Sequence, residues 1–441
     1  MIRTVGLDVH KHFIEVCILD SRGKVLSRGQ VNCQREELQH FAKTQLKKTD
    51  RVVLEATTNT WPVVEILRPC VAAVVVSNPL KTKAIAEAKI KTDKVDALVL
   101  AQLLRCDYLP EVWQPDTATQ AQRSLITHRS GLMCQRARHK NRIQCLLGRL
   151  LLAPPCKLLW TKTGLTWLQA LTLSSTDRLM LDSELRQLGQ VERELVVVDQ
   201  QLVEISRHEP RVQLLMTLPG VNYVVALGLL AALGDITRFA DGDHAASYLG
   251  LAPVTRQSGA KCYHGHITKA GNSQARWLLT QSAQHVTRHP GPLGAFFRRL
   301  AKRKNRQVAI IAVTRKLVTV AYLMLKNNEP YRYARPDLMA TKFTALQSKH
   351  RGATSRSEKP SLRGPARAGL AKVYQAAGLP SVTVPEQLSH GEQRMLTQHK
   401  LTDFVGQLYQ PSPTATVKPD NPKRATSPTT KTRGRPAGRP R

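Results

Sequence analysis

The stretch Val5-Gly6-Leu7-Asp8-Val9 decides how the start of this chain folds, because it places a carboxylate at the end of an apolar run. A short apolar run of this kind predicts a buried β-strand, here over Thr4–Val9. Two more strand-like runs follow it, Phe13–Leu19 and Lys24–Gln30. The sequence therefore opens with three consecutive predicted strands, the first of which ends at Asp8.

The next part of the chain alternates helical and strand-like patterns. A helix is predicted near Arg35–Leu46, followed by strands over Arg51–Ala56 and Val71–Ser77 with a short helix between them. Three strands followed by helix, strand, helix, strand and helix is the order of an RNase H-like domain, in which helices cover the faces of a mixed sheet. We therefore predict an α/β domain of this type over residues 1–110.

Four acidic residues of this domain stand where they can converge, namely Asp8, Glu55, Asp93 and Asp96. Asp8 and Glu55 each end a predicted strand, so neighbouring strands would bring them to one edge of the sheet. Asp93 and Asp96 stand three residues apart on a predicted helix, which places both on one face. Each acid alone could equally be a strand-end, capping or solvated residue. All four in this order predict a single site.

Carboxylates held this close need cations, because like charges repel and raise one another's pKa. Oxygen ligands of this kind suit Mg²⁺ or Mn²⁺. Two such ions about 4 Å apart can hold the attacking and leaving oxygens of a phosphodiester. The pattern predicts that the four acids are both metal ligands and catalytic residues.

The rest of the chain is predicted to be mainly helical. Residues 117–210 contain a basic amphipathic helix, Thr117–Leu152, which could lie along a phosphate backbone, and a long helix, Leu179–Ile205, with coiled-coil spacing. An ordinary bundle helix would show the same spacing. A compact helical domain is predicted over residues 211–332. Beyond Pro336 the composition turns to Ser, Thr, Pro, Gly, Lys and Arg, which predicts a mostly disordered basic extension over residues 337–441.

Charge points to the partner: 66 Lys and Arg against 32 Asp and Glu leave a net charge of +34 on 441 residues. A surface this basic would repel itself unless a polyanion neutralised part of its charge, and nucleic acid is the expected polyanion. No apolar run reaches the roughly 20 residues that span a bilayer, and no signal-peptide pattern opens the chain. We expect a cytoplasmic, nucleoid-associated protein with no membrane partner. The eight cysteines lack the paired spacing of a zinc site and are expected to be reduced.

Several blocks of the sequence resemble a known family, the insertion-sequence transposases with a RuvC-like DEDD domain and a C-terminal serine, to which the Piv-type DNA invertases also belong. The acidic blocks are Gly6-Leu7-Asp8-Val9-His10-Lys11, Glu55-Ala56-Thr57 and Lys91-Thr92-Asp93-Lys94-Val95-Asp96-Ala97. The C-terminal blocks are Leu218-Pro219-Gly220-Val221, Tyr248-Leu249-Gly250-Leu251-Ala252-Pro253, Ser258-Gly259 and Ile267-Thr268-Lys269-Ala270-Gly271-Asn272. The resemblance covers residues 1–332.

The resemblance implies a DNA transposase or recombinase that moves an insertion sequence by strand cleavage and exchange. Ser258 occupies the position of the family's proposed nucleophile, which implies attack on a DNA phosphate and a transient phosphoserine. Donor and target DNA, a homodimer or tetramer that synapses them, and guidance by a structured bridge RNA are implied as well. Taken alone, Gln257-Ser258-Gly259 is an ordinary turn sequence.

Basic residues near the serine predict a surface that holds phosphates, for which the candidates are Arg256, Lys261, Lys269 and Arg276. A solvated basic loop would look the same. The turn at Gly220 resembles half of a helix-hairpin-helix element, in which backbone N–H groups point at a phosphate; a plain interhelical turn is the alternative. Arg433 and Arg435 resemble the core of an AT-hook, although a generic basic tail would also bind DNA.

Three other functions stay open at this point. The four acids alone would suffice for a metal-dependent junction nuclease that uses water as nucleophile. A site-specific DNA invertase would carry the same residues as a transposase. A non-enzymatic nucleic-acid-binding protein would account for the net charge, but it gives no reason for four acids in a basic chain.

Overall fold

The computed structural model describes residues 2–85, 92–155, 158–259, 261–351 and 362–411. The chain divides into two compact units, residues 1–117 and residues 118–441. Lys91, Cys156 and the whole stretch after residue 411, which includes Arg433 and Arg435, lie outside the described residues.

A five-stranded mixed sheet forms the centre of the first unit. Its strands are β1 (Thr4–Val9), β2 (Phe13–Leu19), β3 (Val25–Asn32), β4 (Arg51–Glu55) and β5 (Ala73–Ser77), in the spatial order β3-β2-β1-β4-β5. β1 pairs antiparallel with β2 and parallel with β4. The sheet confirms the predicted α/β domain and has the mixed strand pairing expected of an RNase H-like DEDD fold.

Helices cover both faces of this sheet. They are α1 (Arg35–Thr44), α2 (Thr60–Leu67), α3 (Pro79–Ile85) and α4 (Asp93–Arg105). On one face, α1 and α2 bury Phe41 and Val63 against Leu7 of β1. On the other face, α4 packs Ala97 and Ala101 against β2. The two faces can both be apolar because successive side chains of a strand point to opposite sides.

Two long helices and a short one open the second unit: α5 (Thr117–Arg149), α6 (Lys162–Ala170) and α7 (Ser175–His208). α5 and α7 run antiparallel, since ion pairs join Arg129 to Asp199 and Arg149 to Asp177, each at 2.6 Å. Further pairs join Lys140 to Glu192 and Arg142 to Glu184. Much of the predicted basic face of α5 is therefore neutralised by α7 rather than left for a phosphate backbone. The apolar positions of α7 face α5, α6 and the neighbouring core, as in a bundle helix.

The middle of the second unit is the helical domain that the sequence predicts, interrupted by one hairpin. Its elements are α8 (Pro210–Met216), α9 (Tyr223–Leu233), α10 (Gly242–Tyr248), β6 (Pro253–Ser258), β7 (Lys261–Ile267), α11 (Ser273–Val286), α12 (Pro292–Ala301) and α13 (Arg306–Asn327). Every residue of α9 is buried, so this helix is the centre of the core.

One expectation about membranes needs correction. Among the described residues, α13 is long and apolar enough to cross a membrane by length and composition, and its most apolar 18-residue window has a mean hydropathy of 1.9. Half of its apolar window is buried, and Ala309, Val313 and Leu317 pack into the core. A core helix passes the same length and hydropathy test, and the burial of α13 matches that role.

The prediction of a mostly disordered extension after Pro336 is wrong for the described part, residues 336–351 and 362–411. Five helices form there: α14 (Pro336–Arg351), α15 (Arg363–Arg367), α16 (Leu370–Ala376), α17 (His390–Gln398) and α18 (Thr402–Tyr409). They bury Phe343, Tyr374 and Leu396 in the same core as α9 and α13. Composition averaged over residues 337–441 hides these apolar positions, because many Lys, Arg, Ser and Pro residues dilute them.

Candidate active site

Asp8 and Glu55 lie at the same edge of the central sheet. β1 and β4 are parallel neighbours, and their register pairs Leu7 with Leu54, so each acid follows a paired residue. Glu55 is the last residue of β4. The strand order thus places the two acidic residues on neighbouring strands, at or near the ends of those strands.

The other two acids reach this edge because α4 packs very closely on β1. The Thr92 hydroxyl caps the helix by accepting a hydrogen bond from the N–H of Val95, and Asp93 and Asp96 stand in the first turn. Close packing is possible at Gly6, where a Cβ atom would lie only 2.0 Å from the carbonyl oxygen of Ala97. A glycine on β1 therefore lets the first turn of α4 approach the end of that strand.

Asp8, His10 and Asp93 form a compact group. His10 Nε2 lies 3.0 Å from Asp8 Oδ2 and 3.3 Å from Asp93 Oδ2. One ligand atom from each of the three residues lies within 4.8 Å of the other two. The Asp8 side chain is 17% exposed and that of Asp93 48%, so the group opens to solvent on the helix side.

The electrostatics of this group favour a cation. Burial raises the pKa of Asp8, and the charges of Asp96 and Asp93 act in the same direction, while His10 opposes them. A divalent ion would relieve the repulsion between these carboxylates. Carboxylate oxygens suit Mg²⁺ and Mn²⁺, and an imidazole nitrogen is compatible with the softer Mn²⁺. The residues present thus fit a divalent metal.

Sequence reasoning missed His10 as part of the site. Glu55 and Asp96, which it named, stand outside the three-residue group found in the described part of the chain. The missing signal was available in the spacing: His10 follows Asp8 by two residues, and residues two apart on an extended chain point to the same side.

Ser258 lies far along the chain, in the second unit, at the end of β6. β6 and β7 form an exposed two-stranded hairpin, in which Ser258 pairs with Lys261 and Gly259 has a φ of +54° at the turn. His264 contacts Thr255 Oγ1 through Nδ1 at 3.1 Å, so its ring is oriented along the hairpin. Ser258 is exposed to solvent.

The predicted phosphate-binding residues divide into two kinds. Arg256 and Lys261 are exposed on the hairpin, and Lys269 is exposed in the loop after it, with a φ of +56°. Arg276, in contrast, donates from Nη1 to the carbonyl oxygens of Leu249 at 3.1 Å and Gly271 at 3.2 Å, so it closes this loop onto the domain.

Backbone conformation and close packing both explain why residue 220 is a glycine. Its φ is +76°, and a Cβ atom there would lie 2.4 Å from the carbonyl oxygen of Ser282. The turn between α8 and α9 therefore packs tightly on α11. A cleft beside it is lined by basic side chains, including His285, Arg288 and Arg335.

Comparison with known proteins identifies the class of protein to which this chain belongs, a transposase. An IS110-type DEDD family model, described as "Transposase", matches residues 5–151. A second model, described as "Transposase IS116/IS110/IS902 family", matches residues 212–298. The chain belongs to this IS110/IS116 transposase family.

Individual relatives cover most of the chain at low identity. A putative transposase of Sinorhizobium fredii, y4qE, is 28% identical over 73% of this chain and 81% of its own length. The pilin gene-inverting protein of Moraxella bovis is 26% identical over 74% of this chain and 97% of its own length. The transposase of insertion sequence IS1111A from Coxiella burnetii is 24% identical, over 75% and 92% respectively.

Proposed function

We propose that this chain is a DNA recombinase that moves an insertion sequence by cleaving and rejoining phosphodiester bonds. One observation carries the proposal: ligand atoms of Asp8, His10 and Asp93 lie within 4.8 Å of one another at the sheet edge that Glu55 shares. In a chain with a net charge of +34, basic residues are available to pair with any single acidic residue. Several acidic residues that lie together in such a basic chain are therefore best explained as ligands of metal cations, which in turn bind phosphates.

The four acids share the metal-binding role in this proposal. Asp8, Glu55, Asp93 and Asp96 would hold Mg²⁺ or Mn²⁺, which would supply Lewis-acid stabilisation to a bound phosphate. Asp8 is fixed by β1 and by its contact with His10. Asp93 and Asp96 are fixed by the capped first turn of α4.

Ser258 is the nucleophile in this proposal. Its Oγ loses its proton and forms a bond to phosphorus, while the bond from phosphorus to a deoxyribose oxygen breaks. That oxygen takes up a proton and leaves as a hydroxyl. The hydroxyl of a second strand then attacks the phosphoserine, and the serine is released. Exposure at the hairpin end supports this role, because a DNA backbone can reach the hydroxyl. Arg256, Lys261 and Lys269 would hold the phosphates on either side.

The acids and the serine belong to different units of the chain, residues 1–117 and 118–441. A homodimer or tetramer would let one subunit supply the acids and another the serine while both bind donor and target DNA. The family resemblance adds a bridge RNA as guide, and the strongly basic composition is compatible with an RNA partner as well as DNA. Gly220, Arg276 and the tail residues Arg433 and Arg435 remain predicted nucleic-acid contacts.

A second candidate is a site-specific invertase that acts at one chromosomal locus. The relative from Moraxella bovis is named a pilin gene-inverting protein, and the match spans 97% of its length. The two functions would use the same chemistry on differently arranged DNA sites. Inversion of a segment between two fixed sites, without any new insertion site, would distinguish the invertase.

The proposal is tested by strand exchange between donor and target DNA, with Mg²⁺ and RNA transcribed from the sequence flanking the gene. Wild type is compared with Ser258→Ala and Asp8→Ala. We expect both variants to lose exchange, and only wild type to give a covalent protein–DNA adduct on a denaturing gel. Exchange or cleavage that survives Ser258→Ala would reduce the function to that of a metal-dependent nuclease.

A further inference from the structure

A cleft of about 780 Å³ lies in the second unit, between the helical domain and the folded extension. One side is formed by α12 and α13, and the other by α17 with the segment after α13. The family model of the second unit ends at residue 298, so α17 lies beyond it. Cavities of this volume commonly bind small organic groups, such as one or two nucleotides.

Two buried tyrosines line one end of the cleft, which we call its inner end. Tyr331 and Tyr333 are 5% and 8% exposed, and their rings pack edge to face at 5.6 Å. The Tyr331 hydroxyl oxygen is buried without a hydrogen-bond partner among the described residues, whereas the Tyr333 hydroxyl interacts with the Glu392 carboxylate. A buried hydroxyl without a partner costs about 1–3 kcal/mol of free energy, so such groups usually meet a ligand or a water molecule.

The Glu392 carboxylate at the inner end of the cleft already has hydrogen-bond partners. Glu392 lines the cleft, but Arg332 donates to its Oε1 at 2.8 Å and Ser389 donates to its Oε2 at 3.0 Å. Burial, with the charge and the hydrogen bond of Glu392 added, raises the pKa of Tyr333 to about 12. Burial also raises the pKa of Tyr331, so its hydroxyl stays neutral and can both donate and accept.

The mouth of the cleft is basic and aromatic. The Arg299 guanidinium lies 5.5 Å from the ring centroid of Phe296, and its Nη1 lies 3.5 Å from His399 Nε2. Lys316 is exposed, and within the described part of the chain neither it nor Arg299 forms an ion pair with a carboxylate. Arg315 differs, because its charge is matched by Asp243 at 3.1 Å. Two unmatched cations thus flank a half-buried aromatic ring.

We propose that this cleft binds one nucleotide of a single DNA strand, with the base inside and the phosphate at the mouth. The base would contact Phe296 and form a hydrogen bond with the Tyr331 hydroxyl. The phosphate would lie against Arg299 and Lys316. Stacking on aromatic rings combined with basic side chains is how proteins bind single strands without reading a long sequence.

The inference rests on the proposed function, since strand cleavage is what exposes unpaired DNA. An acidic peptide would match the cations at the mouth but would offer no flat group for the aromatic inner end. A nucleotide matches both ends at once. The folded extension would then hold a cleaved or displaced strand while exchange proceeds elsewhere on the protein.

The test is binding of a fluorescent deoxythymidine pentanucleotide to the full chain, measured by anisotropy in roughly 0.2 M salt without metal, where nonspecific contacts are weakened. Tyr331→Phe removes only a buried hydroxyl that has no partner, so its thermal unfolding temperature should be unchanged or higher. We expect it to bind the pentanucleotide about fivefold more weakly, as for the loss of one hydrogen bond. With an abasic pentamer, wild type and Tyr331→Phe should bind equally.

Charge variants give the matched control. Arg299→Gln combined with Lys316→Gln should weaken binding of both pentamers about tenfold or more, as loss of two phosphate contacts would. Lys304→Gln removes an exposed positive charge close to α12 but not in the lining of the cleft, and it should bind like wild type.

Three outcomes would overturn the inference: Tyr331→Phe binding with wild-type affinity, Lys304→Gln losing as much affinity as the Arg299 and Lys316 double variant, or the matching RNA pentamer binding more tightly than DNA. None of these measurements depends on strand exchange. Ser258→Ala should bind the pentanucleotide normally, so failure of the proposed function and failure of this cleft can be told apart.

Discussion

Gly6 and Ala97 touch backbone to backbone: a Cβ atom at Gly6 would lie 2.0 Å from the Ala97 carbonyl oxygen and 2.8 Å from the Ala101 nitrogen. This contact joins β1 to α4. Asp8 follows Gly6 by two residues, and Asp96 directly precedes Ala97. The separation between the acids of the strand and the acids of the helix therefore depends on the absence of a side chain at Gly6.

Gly6→Ala should separate β1 from α4 and weaken the metal site. The added methyl group cannot fit without movement of the helix backbone, for which overpacking costs of about 1–3 kcal/mol are typical. We expect a lower thermal unfolding temperature and a Mn²⁺ affinity at least tenfold lower by calorimetry. Gly29→Ala is the matched control, because Gly29 also lies in a strand but has open space around it. Wild-type Mn²⁺ affinity in Gly6→Ala would show that this contact does not set the site.

His10 is expected to position the carboxylates for metal binding. His10→Ala removes the contacts to Asp8 Oδ2 at 3.0 Å and Asp93 Oδ2 at 3.3 Å. Loss of a group that orients metal ligands typically lowers affinity 10–100-fold, roughly the effect expected here for Mn²⁺. His10→Gln, which keeps a hydrogen-bond donor of similar reach, should restore much of the affinity. The idea fails if the alanine variant binds Mn²⁺ as tightly as wild type in calorimetry or by its electron paramagnetic resonance signal.

Strand order and acid placement were predictable because they depend on local patterns. The apolar run that ends at Asp8, the run that ends at Glu55 and the three-residue spacing of Asp93 and Asp96 each follow from strand or helix geometry. Neighbouring parallel strands then bring the ends together, as β1 and β4 do. The two-residue spacing of Asp8 and His10 could have indicated that these two side chains lie together, whereas the contact of His10 with Asp93 depends on how α4 packs on the sheet, which no local pattern reports.

Two other features could not be predicted from the sequence, for related reasons. The arginines of α5 look like a free basic face in sequence, whereas pairs such as Arg129 with Asp199 depend on an antiparallel neighbour 70 residues away. Helices α14 to α18 were not predicted because their apolar residues, such as Phe343 and Tyr374, are few and scattered in a polar stretch. They become a core only when α9 and α13 supply the rest of it.

Removing the hairpin charges should lower the salt dependence of DNA binding. Arg256 and Lys261 are exposed on β6 and β7, so replacing both by Gln should leave folding unchanged. If each contacts one phosphate, the slope of log affinity against log salt should fall by about 2. Arg129→Gln is the control, because that charge is already paired with Asp199 at 2.6 Å. Arg129→Gln should lower the free energy of unfolding and leave the salt slope as in wild type. An unchanged salt slope in the Arg256 and Lys261 double variant would show that the hairpin is not part of the DNA interface.

Acid should selectively weaken the attachment of the extension. Hydrogen bonds from Arg332 lower the pKa of Glu329 to about 2, against an ordinary value of 4.5. Because the folded pKa lies below the unfolded one, this carboxylate stabilises the fold above pH 4.5, and the contribution is lost as the pH falls from 4.5 towards 2. Glu329→Gln should cost about 2 kcal/mol of unfolding free energy at pH 6. The difference from wild type, measured by urea denaturation, should shrink at pH 3; an equal difference at both pH values would contradict this assignment.

Two truncations should separate the folded part of the extension from its basic end. Deleting residues 337–441 removes Phe343, Tyr374 and Leu396 from the core and exposes their apolar neighbours. Each large buried side chain contributes about 1.5–3 kcal/mol, so this variant should aggregate or unfold well below the wild-type temperature. Deleting residues 412–441 removes eight basic residues and one acid, Asp420, but no part of the described core. It should keep the wild-type unfolding temperature while its DNA affinity becomes weaker and less dependent on salt. Comparable unfolding temperatures for both truncations would mean that α14 to α18 do not stabilise the second unit.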